Sequence, residues 1–229
     1  MDTLLNILAA TPLFSGMTDE QLHQISRIAQ DKKYKRGEAV FWEGEPANGF
    51  YVVVQGQVKI YKSSVEGKEQ ILHIYGPGNP FGEVPVFSGG RFPANATALE
   101  KSRLLFFARK DFIDLITAHP NLALNMLAVL SMRLRQFTVQ VENLSLKEVP
   151  ARLASYLIFL ADEQACPDKV TLPVSKGQLA SLLGTIPETL SRIFSKMTSQ
   201  GFINVNGAEI TITDKAGLEK LGISGRMEG

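Results

Sequence analysis

After Pro120 the chain runs as far as Ser145 without a glycine or a proline. Within that stretch Ala123, Leu127, Leu130, Leu134, Phe137, Val141 and Leu144 recur at intervals of 4, 3, 4, 3, 4 and 3 residues. A seven-residue repeat sustained over three heptads keeps a narrow apolar stripe on one side of a helix, the geometry of a coiled-coil seam. The spacing therefore predicts one long helix with a dimer seam through Leu127, Leu130, Leu134, Phe137, Val141 and Leu144. A helix lying on its own β-domain uses a similar stripe, and that alternative stays open.

The texture on either side is different. Residues 18–30 open with Thr18 and Gln21 in a capping box and continue with Leu22, Ile25, Ile28 and Ala29 at helical spacing, so a short helix is predicted there. From Lys35 to Ala108 the chain breaks into short apolar runs, AVFWE (39–43), FYVVV (50–54), QVKIY (57–61), QILHIY (70–75), ATALE (96–100) and RLLFF (103–107), punctuated by glycines. Short strands at regular spacing with glycine turns predict a β-sandwich or jelly roll. Beyond the long helix Pro150 interrupts the pattern, and LASYLIFLA (153–161) resumes as a buried helix, which puts a domain boundary near residues 146–150. Ser175 with Gln178 caps a helix over KGQLASLL that Gly184 ends, and Thr185 with Glu188 forms a second capping box opening PETLSRIFSKMTSQ. Gly201 closes that helix, and FINV, Asn206-Gly207 and EITIT follow as a β-hairpin. Helix, turn, helix and hairpin make a winged helix-turn-helix. The expected class is α+β: a double-stranded β-helix (jelly-roll) sensor domain over 1–118, a long dimerisation helix over 119–146, and the winged helix-turn-helix over 147–229.

Composition removes several alternatives. At 229 residues, 45% hydrophobic and 21% charged, the chain has material for two cores and no disordered bias. A net charge of +1 offers no field that would by itself imply nucleic acid or membrane. The single cysteine, Cys166, excludes a disulfide framework, a cysteine-rich zinc site and a four-thiolate iron–sulfur cluster within one chain. The apolar start carries Asp2 and no Lys or Arg before Arg27, and no run of 18 apolar residues occurs, so a cytoplasmic protein with no membrane role is expected. His23, His73 and His119 are scattered, and no Walker loop, nucleophile elbow or HExxH pattern is present, which argues against an enzyme.

The second helix of a helix-turn-helix reads bases in the major groove from its N-terminal turns. Glu188, Thr189, Ser191 and Arg192 occupy that part, with Arg192 one turn beyond Glu188. Arginine can hold guanine O6 and N7 together, glutamate can accept from cytosine N4, and serine can meet several base edges. Ser175, Lys176 and Lys196 are placed for phosphate contacts. The competing account makes Glu188 a capping-box member and Arg192 its surface i,i+4 partner. Charge decides little: from Lys147 onward nine basic residues face nine acidic ones.

The order of parts carries a family resemblance that neither FGE (81–83) nor a helix-turn-helix would carry alone. A glycine-punctuated roll containing FGE, a long dimer-type helix and PETLSR (187–192) resemble the CRP/FNR family of bacterial transcription regulators, from about Leu13 to Leu221. The resemblance implies that the roll senses an effector, the long helix makes a homodimer, and the winged helix binds a palindrome in double-stranded DNA, with RNA polymerase as a further partner. It also sets ENLSLKEVPARLASYL (142–157) at the hinge, with Glu148 and Pro150 near the pivot. Glu188-x-x-Ser191-Arg192 matches the FNR-like branch, whose half-site resembles TTGAT. The other branch has arginine where Pro187 stands here.

For the effector, the resemblance identifies Gly82 and Glu83 with the ribose-binding pair of cyclic AMP receptors. The positions of that family's phosphate-binding Arg-Ser are Pro93 and Ala94 here, and the adenine-contacting Thr-Ser is replaced by Phe137 and Thr138. A buried phosphate without a cation is costly, so cyclic AMP is not expected. Iron–sulfur sensing fails with one cysteine. The remaining expectation is an apolar pocket between roll and helix, suited to haem with nitric oxide, as the resemblance to haem-containing members of the family implies, or to another small apolar ligand, with His73, His119, Met126 and Met132 as candidate axial ligands and no other metal site. A cyclic-nucleotide regulatory subunit acting through a protein partner is the alternative function.

Overall fold

The computed structural model describes residues 3–224; Asp2 and the outer limits of the expected domains at residues 1 and 229 lie outside them. The elements in chain order are α1 (Thr3–Ala10), a 3-10 turn (Pro12–Phe14), α2 (Asp19–Ile28), β1 (Ala29–Tyr34), β2 (Ala39–Phe41), β3 (Gly49–Gln55), β4 (Val58–Ser63), β5 (Glu69–Tyr75), β6 (Pro80–Phe81), α3 (Val84–Ser88), β7 (Asn95–Ala98), β8 (Ser102–Ala108), α4 (Arg109–Ala118) and α5 (Asn121–Leu146). There follow α6 (Val149–Glu163), β9 (Lys169–Thr171), α7 (Lys176–Leu182), α8 (Pro187–Ser199), β10 (Ile203–Asn206), β11 (Glu209–Ile212) and α9 (Lys215–Ser224). Two compact units divide at Leu134/Arg135, within α5.

The first unit is built on two four-stranded sheets, ordered β1-β8-β3-β6 and β2-β7-β4-β5. The β3 run FYVVV is apolar throughout because its sheet is covered on both faces. Phe50, Val52 and Val54, with Leu105 and Phe107 of β8, face a core shared with Leu8, Leu13, Leu22, Phe112, Leu122 and Met126. Val53 and Leu104 face the second sheet, packing with Phe41, Val58, Tyr75, Phe81, Phe92 and Ala96. Helices therefore lie on the far side of one sheet of the roll. The N-terminal helix forms with its Thr18–Gln21 capping box but ends at Ile28, and Ala29 already pairs with Phe107 as strand.

The second unit holds a three-stranded sheet, β10-β11-β9, beside α6 to α9. Pro150 lies in the first turn of α6, where a missing N–H leaves no bond unmade. Ser175 and Gln178 form the expected capping box. Two expectations need correction. The second capping box is absent: Ile186 is the N-cap of α8 and Pro187 its first residue, while the Thr185 amide still bonds back to the Ala180 carbonyl at 2.9 Å. Proline's fixed φ makes it a better helix start than a position two residues into the helix, which moves the boundary onward. In the hairpin Asn206 pairs with Glu209, so the loop is Gly207-Ala208 and not Asn206-Gly207. Gly207 has φ 63°, which suits glycine as the first central residue of a two-residue turn.

Candidate nucleic-acid interface and effector pocket

Helix α8 buries Leu190, Phe194 and Met197, spaced 4 and 3 residues apart. The opposite face carries Glu188, Ser191, Arg192, Ser195 and Lys196, all exposed. This amphipathic division fixes which side chains are available to a groove. Thr189 is half-buried, and its hydroxyl accepts from Arg192 Nη2 at 3.2 Å. Both local roles considered for Glu188 are therefore missing. It caps nothing, and Arg192 turns to Thr189 instead of to it; among the described residues the Glu188 carboxylate makes no hydrogen bond or ion pair. Ser175 is occupied at the N-terminus of α7, where its Oγ accepts from the Gln178 amide at 3.3 Å. Lys176 Nζ stands 5.2 Å from the centre of the Phe194 ring, so α7 presents its cation beside the recognition helix.

In the roll, Gly82 has φ 75°, and a Cβ there would come within 3.2 Å of Phe41 and 3.3 Å of Phe92, whose rings stack 3.7 Å apart. Only glycine suits both demands. Next to it Glu83 is 2% exposed. Its carboxylate is bound by the Arg133 guanidinium, which also donates to the Pro80 carbonyl and lies 4.7 Å from the centre of the Tyr75 ring. The expectation of an apolar pocket is corrected by this cluster, because the group that faces Glu83 from α5 is a cation. Sequence reasoning missed Arg133, though a signal existed: Leu122, Met126, Val129 and Arg133 form a second stripe at intervals of 4, 3 and 4, beside the seam. The first three are buried. Burial, then the Arg133 charge, pushes the His73 imidazole down to about 4, and burial pushes the Tyr75 phenol up to about 12.

Pro93 is exposed and Ala94 buried, and neither carries a side-chain donor; Lys62 Nζ reaches the Pro93 carbonyl at 3.0 Å. Phe137 and Thr138 belong to the second unit and are exposed. The four candidate haem ligands face four different neighbourhoods. His73 packs on Tyr75, with ring centres 4.3 Å apart. His119 Nδ1 accepts from Gln21 and its Nε2 donates to Gln24. Met126 is buried in the helix-covered core, and Met132 lines an open groove of about 480 Å³ with Ala9, Pro12 and Asn125. These residues do not fit a haem held between two axial ligands. Among the described residues no group of three histidine, cysteine, aspartate or glutamate side chains could hold a metal ion, and no single helix is long and apolar enough to cross a membrane.

The roll and the winged unit define a DNA-binding transcription regulator that carries a domain of the cyclic-nucleotide-binding form. The cyclic nucleotide-binding domain family matches residues 31–119, and the Crp-like helix-turn-helix domain family matches residues 151–221. The chain belongs to the CRP/FNR family of transcription regulators. It is 29% identical over 214 residues to a cyclic AMP receptor protein of Thermus thermophilus, covering 93% of this chain and 98% of that protein. The structure of FixK2 from Bradyrhizobium japonicum is similar at 27% identity with a TM-score of 0.75, covering 85% of this chain and 97% of that one. A CooA mutant from Carboxydothermus hydrogenoformans shares the fold at 21% identity, with a TM-score of 0.78 and 97% of both chains covered.

Proposed function

We propose that the protein acts as a homodimer that binds a palindromic promoter site with TTGAT-like half-sites, contacting RNA polymerase there, and that its effector is not cyclic AMP. The observation that carries the DNA reading is the face of α8: Glu188 and Arg192 are exposed one turn apart, and Glu188 has no local role. Dimerisation is supported by the seam, where Leu127, Leu134, Phe137 and Val141 are 60%, 70%, 43% and 63% exposed in one protomer. Side chains of this size each gain about 1.5–3 kcal/mol on full burial, so a partner helix supplies a large driving force. Leu144 is half-buried, and Leu130 packs partly on the roll's own core, so the seam is weighted towards the other four positions. A regulatory subunit working only through a protein partner would leave the polar face of α8 without a task.

The name of the Thermus relative favours cyclic AMP as effector. Against it stand Pro93 and Ala94, which offer a phosphate no cation, and Glu83, whose carboxylate is already neutralised by Arg133. A ligand reaching Glu83 must compete with that guanidinium, so it needs donors for the carboxylate or acceptors for the arginine. Titration calorimetry with cyclic AMP at micromolar concentration is expected to show no saturable heat; saturable binding would overturn the effector reading. Band-shift titrations with a TTGAT-type palindrome and a scrambled duplex test the DNA reading. Equal affinity for the two would sink it.

A further inference from the structure

Arg152, in the first turns of α6, sends its guanidinium to three main-chain oxygens on two other segments. Nη2 donates to the Leu144 carbonyl at 3.1 Å and Nε to the Lys147 carbonyl at 2.9 Å, while Nη1 donates to the Leu183 carbonyl at 2.8 Å. Leu144 lies in the last turn of α5, Lys147 just beyond that helix, and Leu183 is the C-cap of α7. All three acceptors are thus at helix C-termini, where carbonyls lack intrahelical partners and the dipole favours a cation. From Leu183 only Gly184 and Thr185 separate the bridge from Ile186, the N-cap of the recognition helix.

We propose that Arg152 is a positioning residue for DNA recognition: its planar fork fixes the start of α8 relative to the end of α5 and so sets which half-site spacing the dimer accepts. This rests on the dimeric DNA-binding reading given above. A guanidinium offers donors in a rigid plane, so one side chain can hold three carbonyls at fixed mutual positions. An ammonium keeps the charge but is a point and cannot span them. Lys147 Nζ adds a bond to Ser155 Oγ at 3.1 Å, which ties the same junction to α6 without touching α7.

The test compares the full-length protein with Arg152→Lys and Arg152→Gln on three duplexes: the palindrome, the palindrome with one base pair inserted between half-sites, and a duplex with a single intact half-site. Wild type is expected to prefer the palindrome strongly over the inserted duplex. Both variants are expected to lose about tenfold of that preference, the factor carried by about 1.4 kcal/mol, while single-half-site affinity stays within about twofold. Unchanged spacing preference in either folded variant would overturn the proposal. So would an equal loss on all three duplexes, which marks a DNA contact, or a loss of fold in both variants by circular dichroism, which marks a purely structural residue. Failure of the wild type to prefer the palindrome would instead defeat the DNA reading itself.

Discussion

Arg192 and Lys196 share the outer face of α8, one turn apart, yet they are expected to behave differently. Arg192→Ala is expected to cost about 1–3 kcal/mol on the specific site and to relax preference at the guanine it reads. Lys196→Ala is expected to weaken all duplexes alike and to lower the salt slope by about one. Band shifts over a salt series, on wild-type and guanine-substituted sites, separate the two; an equal loss on specific and random DNA for Arg192→Ala would reassign it to phosphate. In the roll, half-buried His73 packs on Tyr75, and burial first and the Arg133 charge second hold it down at about 4 from an ordinary value of 6.5. A folded-state value below the unfolded one means that the unfolded chain binds more protons between these limits. The stability contributed by neutral His73 is therefore complete above about pH 6.5 and is lost as pH falls towards 4, by roughly 3 kcal/mol in all. Thermal melts of wild type and His73→Gln across that window check it: the variant is expected to show the flatter profile, and parallel profiles would refute the assignment. The exposed face of α8 was legible in the sequence because spacing alone puts positions 188, 191 and 192 together. Arg133 and Arg152 were not, because what each does depends on distant partners: Glu83 is 50 residues from Arg133, and Leu183 is 31 from Arg152.

Elements were legible where one face is buried and the other is wet. The capping boxes at Thr18 and Ser175, the uninterrupted helix and the six glycine-bounded strands all appear close to where the pattern puts them. β1, AQDKKY, gives no such signal. It is an edge strand whose four middle residues are exposed, held to β8 by its main chain, so its side chains carry no alternation and its first residues read as the end of a helix. The short β9 and α3 are likewise too brief to announce themselves, and α9 carries Gly217 and Gly222, which weaken a helical reading. For α5 the stripe predicts a definite outcome. Leu134 is 70% exposed in the protomer, and Leu134→Glu places a carboxylate on the seam, where an unpaired buried charge costs about 3–5 kcal/mol. Sedimentation is expected to show a monomer with lost affinity for the palindrome. A dimer of unchanged mass would count decisively against the seam.

At the scale of the molecule, α5 has 26 residues, about 39 Å of helix, and only Leu122, Met126 and Val129 are buried by its own chain. Those three sit in its first nine residues; beyond them Leu130 packs partly on the same core, and most of the remaining helix is exposed within the protomer. Helix formation without tertiary cover is marginal in water, and the missing cover is the second protomer's helix on the dimeric reading. Melting temperature is accordingly expected to rise with protein concentration, as it does for folding linked to association. Calorimetric scans over a hundredfold dilution series check this, and a concentration-independent transition would argue against linkage. On the dimeric reading the same helix makes the regulator sensitive to how much of it a cell contains. Below the dissociation constant of the pair, the active species grows with about the square of copy number by mass action, so doubling the gene dosage would raise it about fourfold.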